Sequence, residues 1–468
     1  MSGFDAAVHL IYLAAAASFV IGLHMMNSPA TARRGNQLSA AGMTVAIAMT
    51  VVVLVRTGGV SRTGWLVLLA GALLGGGLGL FTARRVAMTA MPQLVSLFNA
   101  VGGGAAVLLA VDDLLRTGQA AAPVAAISGA LDILIGAVTF SGSLVAAGKL
   151  QGVVSGAPIT FFGSRVLNAL LALGFLGGAG WLIAQPGNRI ALALLAGTAL
   201  AFGITMVLPI GGADMPVVIS LLNAFTGTAV AMAGFVLGNP VLIIAGALVG
   251  ASGGILTKLM ADAMNRSIPN IIIGGFGTGD TAAAVAGPGG TSVREVSADD
   301  VAIQLAYASK VIVVPGYGLA AAQAQHEVAE LAELLEQRGV EVSYAIHPVA
   351  GRMPGHMNVL LAEANVPYPQ LREMEEVNPE FARTDVALVI GANDVTNPAA
   401  RRPGTAISGM PILDVDNARS IIVIKRSMGQ GYAGIDNELY ANAKTGMFFA
   451  DAKKGLSTLT SAIKTLVG

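Results

Sequence analysis

The sequence predicts two parts of different kinds: a polytopic α-helical membrane domain, and after it a water-soluble domain of alternating strands and helices. The first observation is that acidic residues are distributed unevenly along the chain: no glutamate precedes Glu295. The second is that long apolar runs fill the chain up to Met260, while the composition after Asn270 is that of a soluble domain. Up to Met260 the acidic residues are Asp5, Asp112, Asp113, Asp132 and Asp214.

The apolar runs predict about nine transmembrane helices, because a bilayer core needs about 20 apolar residues per helix. The qualifying segments are Phe4–Met26, Leu38–Val55, Gly64–Phe81, Met91–Val111, Pro123–Ala147, Arg165–Ala184, Ile190–Leu208, Met215–Leu237 and Pro240–Met260. Glycine and alanine are frequent in these segments, which favours close helix packing in lipid. So many consecutive spans argue against the alternative of a soluble, buried helical core.

The cations in the connecting loops predict the orientation. Loops after odd-numbered spans carry Arg33, Arg34, Arg84, Arg85, Lys149 and Arg165. Loops after even-numbered spans carry Arg56, Arg62, Arg116 and Arg189. Because cytoplasmic loops are enriched in Lys and Arg, this small excess places the C-terminal domain in the cytoplasm.

A Gly-rich segment separates the two parts. Gly274–Asp280 resembles a phosphate-binding loop, but further Gly and Pro follow it rather than a helix, which favours a flexible connector. We therefore expect a membrane domain over residues 1–262, a linker over 263–292 and a soluble domain over 293–468.

The soluble part alternates between strand and helix patterns. A strand is predicted at Val311–Val314, followed by an amphipathic helix over Leu319–Arg338 that ends at Gly339. Further strands are predicted at Val342–Ile346, Val386–Ile390, Ile412–Val415, Ile421–Ile424 and Met447–Ala450, with a last helix over Asp451–Leu466. This order is typical of a doubly wound parallel sheet, a Rossmann-like α/β fold.

A glycine motif stands between the first strand and its helix. Gly316-Tyr317-Gly318 with Ala321 matches Gly-x-Gly-x-x-Ala, in which the glycines permit a tight turn and a close approach to a pyrophosphate. The context favours dinucleotide binding over the alternative of a purely structural turn.

The end of the second strand indicates which dinucleotide binds. NAD sites usually place an acid there, but this strand ends in Tyr344-Ala345-Ile346-His347. Lys425, Arg426 and Ser427 follow a later strand, and two cations with a hydroxyl suit a 2′-phosphate. These residues favour NADP(H), although a solvated basic turn would carry the same three residues.

Four strings in the soluble part are longer than any of these signals. They are Gly316–Ala320, His347–Asn358, Gly391–Asp394 and Lys425–Gly434. Together with Ile210–Pro216 in the membrane part, they resemble the β subunit of proton-translocating NAD(P) transhydrogenase, and the resemblance covers essentially the whole chain.

This resemblance implies a set of NADP(H)-binding positions. The pyrophosphate turn would be Gly316, Tyr317 and Gly318, and a second loop Val349, Ala350, Gly351, Arg352, Met353, Pro354 and Gly355. The crossing loop would be Gly391, Ala392, Asn393, Asp394, Val395 and Thr396. Lys425, Arg426 and Ser427 would hold the 2′-phosphate, and Met428, Gly429 and Gln430 would follow as further binding positions. Gly431, Tyr432, Ala433 and Gly434 would belong to a lid over the cofactor, and Asp451 and Ala452 would complete the set. Asp394 and Tyr432 are the candidate catalytic residues.

The resemblance also implies partners. NAD(H) would be held on a separate α subunit, and hydride transfer from NADH to NADP⁺ would be coupled to proton movement in a dimer of αβ units within the bacterial inner membrane. A single dinucleotide motif agrees with a second nucleotide on a partner. Net charge of +0 suggests no nucleic-acid partner, and the chain has no Cys and no His-x-x-x-His, so we expect no metal site.

Polar residues within the spans are candidates for a proton path, since ionisable groups in lipid are costly. They are His9, His24, Asn99, Asp132, Asn168, Asp214 and Asn223. Some relatives carry His at the position of Asn99, and an amide cannot carry a proton at neutral pH. The titrating group would then be Asp132, His9, His24 or a group on the partner, whereas each Asn could simply bond between helices. The predicted path comprises Asn99, Asp132, Asp214 and Asn223.

Two other functions remain open at this point. The soluble domain could sense NADP and gate a membrane channel or transporter, or it could be a reductase tethered to the membrane. The long strings outside the glycine turn argue against the first. No stretch remains to form a further substrate domain, which argues against the second.

Overall fold

The architecture comes from a computed structural model. It describes residues 3–26, 29–155, 159–211, 214–264, 267–274, 293–351, 355–403, 405, 407–429, 431, 433 and 435–467. The chain divides into two compact units. The first comprises Met1–Val86, Gln93–Ile210 and Val218–Thr257, and the second comprises Ala87–Pro92, Gly211–Val217 and Lys258–Gly468.

Within the described ranges, nine helices are long and apolar enough to cross a membrane. They are α1 Gly3–Met25, α2 Pro29–Thr57, α3 Arg62–Arg85, α4 Met91–Thr117, α5 Pro123–Gln151, α6 Ser164–Ala184, α7 Arg189–Val207, α8 Met215–Leu237 and α9 Pro240–Ala263. Each overlaps one predicted span, so the helical part of the predicted fold class is confirmed. Several run beyond the apolar segment, as α2 does through its polar first turns.

Glycines allow helices of this unit to approach each other closely. A Cβ on Gly136 of α5 would lie 2.7 Å from the Gly103 carbonyl oxygen of α4. A Cβ on Gly203 of α7 would lie 2.5 Å from the Val138 carbonyl oxygen of α5. Since lipid gives helices little reason to associate by burial, such backbone approach supplies the packing.

The predicted linker contains one helix. Described residues of the segment form α10, Ile268–Gly274, in which Ile271 is buried. The connector is therefore not irregular throughout, because an apolar Ile271–Ile273 run follows a proline that can begin a helix. The Gly-rich residues 275–292 lie outside the described residues.

The soluble domain is built on a six-stranded parallel sheet of order β3-β2-β1-β4-β5-β6. The strands are β1 Lys310–Pro315, β2 Glu341–Ile346, β3 Leu371–Glu373, β4 Val386–Ile390, β5 Ser420–Lys425 and β6 Thr445–Phe449. The helices are α11 Ala298–Ala306, α12 Tyr317–Ala321, α13 Gln325–Glu336, α14 His356–Glu363, α15 Met374–Val377 and α16 Ala452–Val467. This confirms the α/β part of the predicted fold class.

Both faces of the sheet are covered. Val311 and Val313 pack into one buried cluster, while Ile312 and Val314 pack into the other. Because neighbouring residues of a strand point to opposite faces, continuous apolar strands are what a sheet buried on both sides requires.

Three sequence predictions in this domain are wrong. Ile412–Val415 is not a strand: Leu413 donates its N–H to the Val395 carbonyl, and the apolar side chains are buried without joining the sheet. The edge strand β3 was missed because it is short and carries Arg372 and Glu373. The single helix predicted over Leu319–Arg338 is α12 and α13, separated by Gln323 with φ of +50°.

Candidate functional site

The candidate site lies where the strand order reverses. β1 stands between β2 and β4, so the chain leaves β1 toward one side and returns through β4 on the other. In open α/β sheets this creates a crevice at the carboxyl ends of the strands. The predicted binding loops follow β1, β2, β4, β5 and β6 at this same edge.

The glycines after β1 and β4 touch each other. The N–H of Gly318 donates to the Gly391 carbonyl at 2.9 Å, and Gly391 has φ of +64°. A Cβ on Gly316 would lie 2.3 Å from the Ala392 Cα, and one on Gly391 would lie 2.3 Å from the Gly318 Cα. Two backbones therefore cross where no side chain fits, so a structural demand alone accounts for these glycines.

The loop after β2 is organised by a buried histidine. His347 Nε2 lies 2.8 Å from the Pro411 carbonyl oxygen, and its Nδ1 accepts the Val349 N–H at 3.2 Å. These contacts assign the proton to Nε2. Burial lowers the pKa of His347, which keeps the ring neutral. No sequence motif predicted this role for His347, although its place at the end of a strand was a signal.

Two left-handed glycines shape the rest of this loop. Gly351 has φ of +100° and Gly355 has φ of +69°. A Cβ on Gly351 would lie 2.5 Å from His356 Nδ1, so no other residue fits there without displacing that ring. Ala350 is buried and Val349 is half-buried. Arg352, Met353 and Pro354 lie outside the described residues.

The loop after β4 holds part of the predicted lid. Asp394 Oδ2 accepts the Ala433 N–H at 3.1 Å, and a Cβ on Gly431 would lie 2.4 Å from Asp394 Oδ1. Asn397 Nδ2 donates to the Asp436 carbonyl at 3.0 Å. The structure therefore brings the candidate Asp394 together with the segment that contains Gly431. Gln430 and Tyr432 lie outside the described residues.

Residues missed by the sequence analysis tie these loops together. Asn437 Nδ2 donates to the Asn393 carbonyl at 3.0 Å and to Thr396 Oγ1 at 3.3 Å. Tyr440 donates its hydroxyl to the Ala392 carbonyl at 3.1 Å, and burial raises its pKa so that it keeps this proton. Both residues lie between the Lys425–Gly434 string and β6, in a stretch where the sequence shows no motif.

The predicted 2′-phosphate residues lie at the end of β5. Lys425 is half-buried, with its Nζ donating to the Gly429 carbonyl and standing 4.7 Å from the Tyr440 ring centroid. Burial lowers the pKa of Lys425, and the nearby carboxylates of Asp394 and Asp436 oppose that shift. Arg426, Ser427, Met428 and Gly429 are exposed beside it.

Asp451 follows β6 and begins the last helix. Its Oδ1 accepts the N–H of Lys453 at 3.1 Å, and Ala452 is buried behind it. This is the arrangement of a helix N-cap, which already explains an aspartate at this position. The carboxylate nevertheless stands at the same edge of the sheet as Lys425, since β5 and β6 are neighbours.

The polar residues of the helices fall into separate places. Asn99 of α4 donates to the Ile219 carbonyl at 3.3 Å and accepts the Thr226 hydroxyl on its own carbonyl at 3.3 Å. Asn223 lies between those two positions on the same face of α8, since spacings of four and three residues share a helix face. The structure therefore places Asn99 against the α8 face that carries Asn223.

Asp132 lies elsewhere. It is 0% exposed, and among the described residues neither of its carboxylate oxygens has a hydrogen-bond partner. Its α5 neighbour Ile133 belongs to an apolar cluster with residues of α4, α6 and α7. Asp214 is buried just before α8, whereas His9 and His24 are exposed. In the described part of the chain, no cluster of three His, Asp or Glu residues could hold a metal ion.

Comparison with known proteins places the chain in a family. The family model described as NAD(P) transhydrogenase beta subunit matches residues 8–462. The chain is 50% identical over 461 residues to the NAD(P) transhydrogenase subunit beta of Rhodospirillum rubrum, which covers 97% of this chain and 98% of the relative. A second relative of the same name, from R. rubrum strain ATCC 11170, gives the same values. The chain therefore belongs to the NAD(P) transhydrogenase beta subunit family.

Proposed function

We propose that this chain is the NADP(H)-binding subunit of a proton-translocating transhydrogenase. With an NAD(H)-binding α subunit, it would couple hydride transfer from NADH to NADP⁺ with proton movement across the membrane. The observation that carries this proposal is the meeting of five loops at the carboxyl edge of one sheet, in a chain that also contains nine apolar helices among its described residues. Membership of the family supports it.

The residues at this edge fit a phosphorylated dinucleotide. Arg426 and Ser427 stand exposed beside Lys425, which provides two cations and a hydroxyl for a phosphate dianion. At the end of β2, the position of the NAD-type acid is taken by His347, whose two ring nitrogens are already bonded. NADP(H) is therefore the nucleotide we assign to this chain, with NAD(H) on the partner.

The roles of the residues follow from this assignment. The nucleotides supply the hydride chemistry, and the protein must bind them, orient them and exclude water. Asp394 anchors the lid segment by accepting the Ala433 N–H, which would keep Tyr432 next to the nucleotide. The Val349–Gly355 loop, fixed by His347, would border the nucleotide on the β2 side. We keep Asp394 and Tyr432 as the proposed catalytic positions.

The proton path we propose joins polar groups in the helices. Asn99 and the α8 face that carries Asn223 would form a polar passage for the proton. Neither amide titrates near neutral pH, so the group that takes up the proton would lie elsewhere. Asp132 is a buried carboxyl group that could take up a proton, and Asp214, just before α8, would link the passage to nucleotide occupancy. We further propose the domain limits 1–262, 263–292 and 293–468, an inner-membrane location with the soluble domain in the cytoplasm, and a dimer of αβ units.

Reconstitution tests the proposal directly. The chain is purified with and without its NAD-binding partner, placed in vesicles, and supplied with NADH and an NADP⁺ analogue while internal pH is followed. We expect hydride transfer and a pH change only when the partner is present. Robust turnover by the chain alone would show a second nucleotide site, and NADP-dependent ion flux without hydride transfer would favour a gated channel.

Nucleotide preference provides a second test. Loss of a charge-assisted phosphate contact costs about 1.5–3 kcal/mol, so Lys425→Ala or Arg426→Ala should weaken NADP⁺ binding about ten- to hundredfold. NAD⁺ binding should change little. Calorimetry that showed equal losses for both nucleotides would contradict the assignment of these cations to the 2′-phosphate.

A further inference from the structure

Tyr440 has two contacts that reach different loops of the candidate site. The residue is 2% exposed and lies in a short 3₁₀ turn, Glu438–Ala441, between β5 and β6. Its ring lies 4.7 Å from the Lys425 Nζ, and its hydroxyl donates to the Ala392 carbonyl at 3.1 Å. Lys425 follows β5 and Ala392 follows β4, so one side chain bridges the two loops.

The turn that carries Tyr440 is itself held in place. Asn437 Oδ1 accepts the Leu439 N–H at 2.9 Å, while Asn437 Nδ2 donates to the Asn393 carbonyl at 3.0 Å. Thr445 Oγ1 donates to the Leu439 carbonyl at 2.7 Å. The ring therefore offers a fixed surface, whereas the lysine above it has a long and flexible side chain.

A fixed aromatic face has a definite effect on such a cation. The ring attracts an ammonium group through its quadrupole and restricts the directions in which the lysine side chain can extend. Lys425 Nζ is also held by the Gly429 carbonyl, so its ammonium is placed before any ligand arrives. Preorganisation of this kind lowers the entropy that binding must remove.

We propose that Tyr440 is a positioning residue that sets the preference for a 2′-phosphorylated dinucleotide by holding the Lys425 ammonium at the end of β5. The aromatic ring carries this effect, and the hydroxyl adds only a tie to the Ala392 loop. The inference rests on the proposed role of Lys425 at the 2′-phosphate.

The test compares Tyr440→Leu with Tyr440→Phe in the full-length chain in detergent. NADP⁺, NAD⁺ and adenosine 2′,5′-bisphosphate are titrated calorimetrically into each variant. We expect Tyr440→Leu to weaken both 2′-phosphorylated ligands about three- to tenfold while NAD⁺ affinity stays within about twofold. Tyr440→Phe retains the ring and should stay within about twofold for all three ligands.

A double-mutant cycle separates this inference from the proposed function. If Tyr440 acts through Lys425, Tyr440→Leu should have no further effect on NADP⁺ affinity in a Lys425→Ala background. A normal NADP⁺ affinity in Lys425→Ala would overturn the 2′-phosphate assignment itself. Loss in Lys425→Ala with no change in Tyr440→Leu would overturn only the positioning role.

Other outcomes also count against the inference. Equal weakening of NADP⁺ and NAD⁺ by Tyr440→Leu would indicate a general packing role. An equal loss in Tyr440→Phe would assign the effect to the hydroxyl. Because a buried leucine could perturb folding, Tyr440→Met serves as a second ring-free variant, and only variants with the wild-type unfolding temperature are compared.

Discussion

Helices α3 and α5 have almost the same hydropathy and opposite surroundings. The most apolar 18-residue stretches of the two helices have mean hydropathies of 2.0 and 1.8. However, α3 has no buried residue, whereas 61% of that stretch of α5 is buried. Gly71, Gly75 and Gly79 recur every four residues along α3, and no described atom outside the local backbone lies within 4 Å of a Cβ placed there. In α5, by contrast, Gly136 meets the backbone of α4 and Gly142 meets the backbone of α7.

The difference shows what each sequence property reports. High hydropathy indicates that a helix can span a bilayer, and small residues indicate that another helix can pack close to its backbone. Neither property identifies which helix, if any, packs against it. What distinguishes α5 is its buried polar set, because polar side chains in lipid must face other protein. This set comprises Ser128, Asp132, Thr139, Ser141, Ser143 and Lys149.

The largest effect should come from the proposed polar passage of Asn99 and Asn223, whose helix α4 packs against α5 at Gly103 and Gly136. We expect Asn223→Leu to block proton movement and to slow the coupled reaction severely, because a leucine offers no hydrogen bond opposite Asn99. NADP⁺ affinity should be unchanged. Vesicles are assayed for internal pH and hydride transfer, and calorimetry controls for nucleotide binding. A stable Asn223→Leu enzyme that pumps at the normal rate would remove Asn223 from the path.

The next effect concerns the packing of α5. In Gly136→Leu the added side chain must displace the Gly103 carbonyl, which lies 2.7 Å from the new Cβ. Overpacking of this kind costs about 1–3 kcal/mol, and more when backbone must shift. We expect a clear fall in the unfolding temperature in detergent. A wild-type unfolding temperature would show that α4 and α5 separate readily.

A smaller effect is expected at Lys149, near the C-terminal end of α5. Lys149 is buried, and its Nζ donates to the carbonyls of Leu208 at 2.5 Å and Ile210 at 2.8 Å, just beyond α7. Lys149→Met removes both bonds, which should destabilise the chain by about 1–3 kcal/mol. The matched control is Lys258→Met, since Lys258 is exposed and pairs with Asp262 one turn further along the same helix. Equal unfolding temperatures for the two variants would contradict this expectation.

The stability of the chain should depend on pH through the buried side chain of His347. Burial lowers the pKa of His347, so the unfolded chain, with a pKa near 6.5, takes up the proton first as pH falls. Stability is therefore complete above that value and is lost on acidification, by up to about 1.4 kcal/mol at pH 5.5. Thermal unfolding from pH 7.5 to 5.5 should show this loss. His347→Gln should reduce it, and His326→Gln, at an exposed position, should leave it unchanged.

The smallest effect is expected on α3. Gly75→Leu adds a side chain where the described residues leave open space, so the chain purified alone should unfold within about 0.5 kcal/mol of wild type. A loss as large as that of Gly136→Leu would show that α3 is packed within this chain after all.

The sequence predicted elements wherever local pattern and burial agree. β1, β4 and β5 were predicted because Val and Ile runs fill both faces of a central strand. Ile412–Val415 is also mostly apolar, although it contains Asp414. Ile412 packs among loop residues, while Leu413 and Val415 pack on one face of the sheet, and composition cannot distinguish such burial from that of a strand. β3 has the reverse property: it joins the sheet at an edge, where Arg372 is tolerated and no apolar run is needed.

The residues of the candidate site likewise fall into those that the sequence could predict and those that it could not. Residues in glycine turns and at strand ends could be read from the chain, since those positions have local signatures. His347, Asn437 and Tyr440 act on partners up to 64 residues away in the chain, and no local signature records such contacts. The relation of Asn99 to the α8 face was likewise out of reach, because the order of the helices does not state which faces meet.

The crossing of the β1 and β4 turns bears on how such chains should be recognised. Gly316, Gly318 and Gly391 are fixed by one another, so the fold would retain them even in a descendant that had lost its nucleotide. A sequence motif defined by these glycines therefore reports the fold, and it would be retained after the activity had been lost. Exposed residues at the candidate site, such as Arg426 and Ser427, are the more sensitive markers of retained activity.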